Sequence, residues 1–391
     1  MNLAKYIFNL LNNSKWIWKL PSRKEVLIYD ASGSEILSEY LKRSSYNIFY
    51  NRGYYLKGEY LYISVILISI FSRRFWKGKI SEAYRDCYIR FVDPKLIITF
   101  IDNSPGFYEI KNKFPKSKTL FIQNGWRGEI GDVFEDLQFS NRYHVDYMLV
   151  FNKHIASKYK KYISGETIVI GSLKNNFVKK IPTVKSNSVL FISQYRATPF
   201  FDNIFLKKKS GKTYSYREFY NSDETVLKFL DNWCEKNRLQ LKIASYYSES
   251  NSSELEYFES ILRSNNWEIL PRIDSYSSYT YLDTSKIVVS IDSTLGYESL
   301  SRGNRTAIFS TRGHDIENNA TTFGWPGDYP DIGPFWTNQK NEKDFETIMN
   351  FLNSSSIEEW EKIYEEFSSD LMAYDPGNTK FISTLDYILI S

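Results

Sequence analysis

The sequence predicts an α/β protein of two domains, each built on a parallel sheet covered by helices. Three observations carry that expectation. The 391 residues exceed what one ordinary core encloses. Short apolar runs alternate with polar or amphipathic stretches along most of the chain, as parallel strands joined by crossover helices do. The alternation lapses over 171–187 (GSLKNNFVKKIPTVKSN), a polar, basic stretch with a single proline that reads as an interdomain linker. Domains are therefore expected at 1–180 and 181–375, followed by a segment 376–391.

Each element has its own signal. Val26 to Tyr29 (VLIY) reads as a first strand, and Asp30-Ala31-Ser32-Gly33-Ser34 opens a helix through about Leu41. Tyr60 to Phe71 (YLYISVILISIF) is too short to cross a bilayer and is expected as a buried core helix. Strands follow at LIITFI (96–101), TLFI (119–122), YMLVF (147–151) and TIVI (167–170). A second series starts with VLFI (189–192). The face Val226, Leu227, Leu230 and Cys234 marks a helix, LQLKIA (239–244) a strand, Glu254 to Leu262 a helix, and Ile269 a further strand. Ile287, Val288, Val289 and Ile291 form another, and RTAIF (305–309) the next. KKKSGK (207–212) reads as a basic loop.

Composition narrows the function classes. Apolar residues at 42% and charged residues at 25% are those of a globular protein, and a net charge of +4 leaves no nucleic-acid footprint on the whole chain. Cys87 and Cys234 lie far apart in expected helices, which argues against a disulfide framework or metal knuckle and fits a reducing, cytoplasmic setting. No HExxH, paired CxxC or strand-borne DxD calls for a metal, and no cofactor is expected. The opening residues, interrupted by Asn12, Asn13, Ser14 and Lys15, lack a small-residue cleavage site and are not read as a signal peptide. Two stretches mix aromatic and cationic residues: Lys15, Trp16, Trp18, Lys19, Arg23 and Lys24, then Arg73, Arg74, Phe75, Trp76, Lys77 and Lys79. Such mixtures suit a peripheral membrane contact, or equally a solvated face with the tryptophans packed inward.

The most informative segment is SIDSTLGYESLSRG (290–303), an apolar strand running into a turn and then a helix. Orphan backbone N–H groups, the helix dipole and the Ser293 and Thr294 hydroxyls can hold a phosphate there. Gly296 would let a ligand approach the backbone. Glu298, one turn beyond Thr294, could accept the hydroxyls of a ribose. The plainer alternative is a helix cap, with Glu298 paired to Arg302. RTAIF following as the next strand puts the junction at the carboxyl edge of a parallel sheet, where ligands of open α/β folds bind.

With IDNSPGFYEI (101–110), FIQNGWRGEIGDVF (121–134) and FGWPGDYPDIGPFW (323–336), this segment resembles a bacterial surface-carbohydrate biosynthesis family over nearly the whole chain. That family is similar, at a distance, to capsule and lipopolysaccharide transferases that use CMP-activated ulosonic acids such as Kdo. The resemblance implies a GT-B glycosyltransferase: two Rossmann-like domains facing a cleft, nucleotide on the carboxyl-terminal domain, acceptor on the amino-terminal one. The last helix, Thr379 to Leu389, would cross back to the first domain. The partners implied are a CMP-sugar donor and a glycan or glycolipid acceptor. A UDP-sugar transferase or 2-epimerase is the alternative, and a non-catalytic polysaccharide-assembly partner a third reading.

Glycosyl transfer needs a held leaving phosphate and a base or nucleophile, and candidates should stand at strand ends. Asp102 after LIITFI is the first choice for the catalytic carboxylate, against an Asx turn cap. After TLFI, Asn124 and Arg127 are expected to meet the sugar and Glu129 to be a second base, the alternative being an exposed Arg127–Glu129 pair. Ser193, Gln194 and Arg196 after VLFI are placed for phosphate or base contacts. Arg312 and His314, after RTAIF, could serve a sugar carboxylate or the departing phosphate.

Overall fold

The computed structural model describes residues 15–49, 60–128, 132–134, 143–181, 185–196, 205–207, 211, 213–215, 223–248, 251–316 and 321–390. Strands β1 (Lys15–Ile17) and β4 (Tyr60–Tyr62) form a small parallel pair. The strands β2 (Val26–Ile28), β3 (Tyr46–Ile48), β5 (Leu96–Thr99), β6 (Lys118–Ile122), β7 (Tyr143–Val150) and β8 (Ile163–Val169) form a six-stranded sheet in the order β3-β2-β5-β6-β7-β8. Every pairing in it is parallel. A second six-stranded parallel sheet holds β9 (Ser186–Ile192), β12 (Gln240–Ala244), β13 (Trp267–Leu270), β14 (Ser285–Ser290), β15 (Thr306–Phe309) and β16 (Trp336–Thr337). Its order is β13-β12-β9-β14-β15-β16, while β10 (Phe205–Lys207) and β11 (Thr213–Ser215) make a separate antiparallel hairpin.

The central strands are apolar on both faces because helices cover both. Val26, Leu27 and Ile28 in β2, and Leu96, Ile97 and Ile98 in β5, are all fully buried. The sequence runs announced every strand at the sheet centres and two at the edges, β8 and β13. The edge strands β3 and β16 carry no such run.

Tyr60 to Phe71 departs from the expected buried helix. Its first three residues pair with β1, the helix covers only Ile63–Ser69, and Leu67, Ile68 and Phe71 face solvent. The apolar run has a wet face because only Val65 and Ser69 of that helix are buried.

Residues 171–178 and 371–378 lie side by side where the chain passes between the domains. Gly171, at φ +73°, approaches so closely that an added Cβ would stand 1.8 Å from the Ala373 carbonyl oxygen. Asn378 Nδ2 donates to Tyr40 Oη at 2.6 Å and to the Leu173 carbonyl at 2.8 Å. The helix Thr379–Ile390 then packs Phe381, Leu385 and Ile388 against Val26, Ile28, Leu96 and Leu120 of the first sheet.

In the second sheet, chain order reverses between β9 and β14. A crevice opens at the carboxyl ends of strands flanking such a reversal, and it is the usual ligand position in open α/β sheets. Ser193 to Arg196 leave β9 there, and Ile291 to Thr294 leave β14.

Candidate functional site

The turn after β14 leads to Ser293, whose extended backbone makes it the cap of the helix Thr294–Ser301. Ser293 Oγ accepts the Leu295 N–H at 3.3 Å, while the Ser293 N–H donates to Ser290 Oγ at 3.2 Å. Thr294 Oγ1 accepts the N–H of Trp126, from the other domain, at 2.7 Å. Both hydroxyl oxygens thus accept from backbone. Among the described residues, neither donates its hydrogen to a protein atom. Two O–H donors are left at the positive end of a helix, on the side that meets the amino-terminal domain, and that arrangement suits an anion.

Gly296 has a different task from the one expected. A Cβ there would lie 2.5 Å from both Cβ and Oγ of Ser290, so its missing side chain lets the helix sit on the end of β14 rather than admitting a ligand. Glu298 is buried in the seam between domains, where Oε1 accepts the Ser172 hydroxyl at 2.5 Å and Tyr279 supplies a further hydrogen bond. Burial pushes its carboxyl above the usual range, against those hydrogen bonds and the charges of Lys174 and Arg302. Arg302 does not pair with it; its guanidinium forks onto Asp283 at 2.9 and 2.5 Å. Lys174 stands over the Tyr276 ring at 5.7 Å. Its ammonium pKa is lowered by burial and by the charge of Arg272, against the opposing pull of Glu298 and Glu35.

Trp126 ties the site to the first domain. Its ring lies flat on Tyr297, with centroids 3.6 Å apart and planes 2° from parallel. The stack continues from Phe151, through Trp126, Tyr297 and Phe323, to Trp336. Tyr297 Oη accepts the Gly324 N–H at 3.0 Å, so the FGWPGDYPDIGPFW motif packs behind the helix as structural support.

The charged candidates at strand ends are largely enclosed. Asp102 is wholly buried: Arg127 Nε donates to Oδ2 at 2.8 Å and Arg127 Nη2 to Oδ1, with Tyr159 Oη at 2.5 Å and the Asn124 N–H at 3.1 Å completing the set. This is not the open strand-end carboxylate expected of a base. Arg127 is turned inward for the same reason, with Asn124 Oδ1 accepting from it. Burial alone would weaken its hold on the proton, but the charge and hydrogen bonds of Asp102, together with Asp132 and Tyr159, outweigh burial and keep it charged.

Arg312 is also fully buried. It donates to Asp292 at 2.7 and 3.0 Å and to Gln194 Oε1 at 2.5 Å, and lies 3.6 Å from Asp223. Arg312 and Gln194 thereby knit the ends of β9, β14 and β15. Ser193 Oγ donates to Glu254 at 3.1 Å, and Arg196 lies 3.4 Å over the Tyr246 ring. Glu129 lies outside the described residues. His314 falls in the helix Thr311–Ile316 that follows β15.

Reading the sequence missed Ser172, Lys174, Tyr279 and the Trp126–Tyr297 stack. Ser172 and Lys174 sat in the stretch read as linker, whose first part forms the short helix Leu173–Phe177, packed in the seam. Among the described residues, no group of three or more His, Cys, Asp or Glu could hold a metal ion, and no helix is long and apolar enough to cross a membrane.

Comparison with known proteins follows the same lines. Residues 120–388 match the model of a family described as O-antigen biosynthesis proteins. The chain is similar in structure to S. aureus MnaA, solved with UDP, at 12% identity and TM-score 0.54, covering 93% of this chain and 96% of that one. A UDP-N-acetylglucosamine 2-epimerase superposes with TM-score 0.54 at 10% identity, over 93% of this chain and 95% of that one. The wall teichoic acid polymerase TagF, soaked with CDPG, gives 0.50 at 11% identity, over 94% and 89%. Such identities speak for the fold alone, the two-domain GT-B arrangement. No curated protein matches the chain in sequence.

Proposed function

Because the chain belongs to a family of O-antigen biosynthesis proteins, we propose that it is a glycosyltransferase of bacterial surface-polysaccharide assembly, binding a nucleotide-activated sugar between its two sheets. One observation carries this reading: at a helix start whose Thr294 accepts a bond from the amino-terminal domain, the Ser293 and Thr294 hydroxyls keep their hydrogens free to donate. There they would hold the leaving phosphate. Glu298 would meet the ribose from the seam.

The donor we favour is a nucleoside-diphosphate sugar rather than a CMP-ulosonic acid. An ulosonic acid carries a carboxylate that needs a cationic partner. Arg127 and Arg312, the residues expected to supply one, are occupied by Asp102 and by Asp292 and Gln194. Asp102 then acts as a positioning group for the Arg127 loop, and Glu129 and His314 are the bases to test.

Calorimetric titration with UDP, CDP and CMP tests the proposal. A diphosphate should bind more tightly than CMP, and Ser293→Ala with Thr294→Val should weaken it by at least roughly tenfold, since a hydrogen bond to a charged group contributes about 1.5–3 kcal/mol. Tighter CMP binding would restore the ulosonic acid reading. Unchanged affinity in the double variant would remove the helix start from the site. Transfer that survives in both Glu129→Gln and His314→Ala would remove those bases, and binding without transfer by the parent chain would favour the non-catalytic reading.

A further inference from the structure

The structure joins the two aromatic and basic stretches that the cleft leaves unused. Parallel pairing of β1 with β4 sets Trp16 beside Leu61, and Ser64 Oγ donates to the Lys19 carbonyl at 3.1 Å. Ser64, Leu67 and Ile68 share one side of the helix Ile63–Ser69, Phe71 follows just beyond it, and the Ser64 bond ties the stretch holding Trp18 and Lys19 to that helix. The result faces water. Trp18 is 77% exposed, Phe71 89%, Trp76 75% and Leu67 55%. The alternative of inward-packed tryptophans does not describe Trp18 or Trp76.

Charge is distributed with equal bias. Residues 15–24 (KWIWKLPSRK) carry Lys15, Lys19, Arg23 and Lys24, and residues 60–80 carry Arg73, Arg74, Lys77 and Lys79; neither stretch contains an acidic residue. Arg74 is paired with Asp86, and Lys79 lies 3.3 Å from Glu82, while Lys15, Lys19, Arg23, Arg73 and Lys77 are exposed.

We propose that this face of the amino-terminal domain docks on an anionic lipid bilayer, with Trp18, Phe71 and Trp76 entering the interface and the lysines and arginines meeting the headgroups. Large rings inserted among cations match the amphipathic boundary of such a bilayer. A second copy of the chain fits less well, because a self-complementary contact would set like charges against one another as the rings met. No residue of this face belongs to the cleft, so the inference stands apart from the donor reading. If both hold, the acceptor is a lipid-borne glycan presented at the membrane surface.

The test is sedimentation of the full chain with phosphatidylcholine vesicles and with equimolar phosphatidylcholine–phosphatidylglycerol vesicles. Binding should require the anionic lipid and weaken with added salt. It should fall about fivefold for each cation removed, as in Lys19→Gln or Lys77→Gln, and by at least about tenfold in a Trp18→Ala, Phe71→Ser, Trp76→Ala variant. All these positions are exposed, and nucleotide binding by the triple variant, measured alongside, should equal the parent's. Failure of the parent to sediment, equal binding to both vesicles, or undiminished binding by the triple variant would overturn the inference. A concentration-dependent dimer abolished in the triple variant would assign the face to a second copy and overturn it as well.

Discussion

Replacing Asp102 by Asn separates a positioning role from a catalytic one. The substitution keeps the shape of the side chain but removes its charge and turns one acceptor oxygen into a donor. Whichever oxygen is replaced, the new donor would face groups that already donate there: Arg127 Nη2 and the Asn124 N–H at Oδ1, or Arg127 Nε and the Tyr159 hydroxyl at Oδ2. The Arg127 guanidinium would stay buried, its nearest remaining carboxylate among the described residues being Asp132 at 3.7 Å. Removing one member of a buried ion pair destabilises by about 3–5 kcal/mol. At roughly 2–4 °C per kcal/mol for a domain of this size, the thermal midpoint should fall by about 6–20 °C. Circular dichroism melts of Asp102→Asn, Arg127→Met and the double variant would measure it. The double variant should lose much less than the sum of the singles, since it removes both the stranded cation and the groups that crowd it. A catalytic carboxylate would behave differently, with transfer lost and stability kept. If Asp102→Asn melts within about 2 °C of the parent, the positioning argument is wrong.

Two further outcomes follow from the same geometry. Gly296→Ala would force a Cβ to within 2.5 Å of Ser290 Cβ and Oγ, an overpacking expected to destabilise by about 1–3 kcal/mol. Denaturant titration should show part of that loss restored by adding Ser290→Gly, and no loss at all would mean the helix can slide freely on β14. Burial raises the Glu254 carboxyl above its ordinary 4.5, against hydrogen bonds from Ser245 and Ser193 and the charge of Arg196, and burial raises Glu298 likewise. A folded state that holds these protons more tightly than the unfolded chain is favoured at low pH. This contribution is therefore full below 4.5 and is lost as pH climbs through the raised folded values. Glu254→Gln should flatten that decline, and parallel stability–pH profiles for variant and parent would contradict the assignment.

The legible parts of this sequence were those in which one local pattern has one physical solution. The runs VLIY, LIITFI, TLFI and VLFI must be buried on both faces, and each lies in or overlaps a central strand of a sheet. The Ser293 cap was legible for the same reason, since an apolar strand followed by Asp-Ser-Thr has few other ways to begin a helix. Side-chain direction was not. Asp102 and Arg127 are 25 positions apart, and nothing in either local sequence says that Arg127 turns inward to meet a carboxylate at the end of the neighbouring strand. Arg312 and Gln194 are 118 apart and likewise meet only because β14 lies between β9 and β15. Tyr60 to Phe71 failed in the opposite sense. Its hydrophobicity was read as burial, whereas a run rimmed by cations can equally be an exposed face.

Contact between the domains and the chemistry of the helix start are one structural event. The Thr294 hydroxyl accepts the backbone N–H of Trp126 from the other domain, and the ring of the same residue stacks on Tyr297, three residues further along the helix. A hydroxyl that accepts one hydrogen bond is a better donor of the next, because the bonds polarise one another. Separation of the two sheets would remove that polarising bond and the aromatic lid together. Bringing them together restores both in a single motion. Glu298 is tied in the same way to Ser172, which lies next to Gly171 where the crossing chain packs closely on Ala373. If an anion binds at Ser293 and Thr294 as proposed, its binding would be coupled to the contact between the two sheets through the Trp126–Thr294 bond.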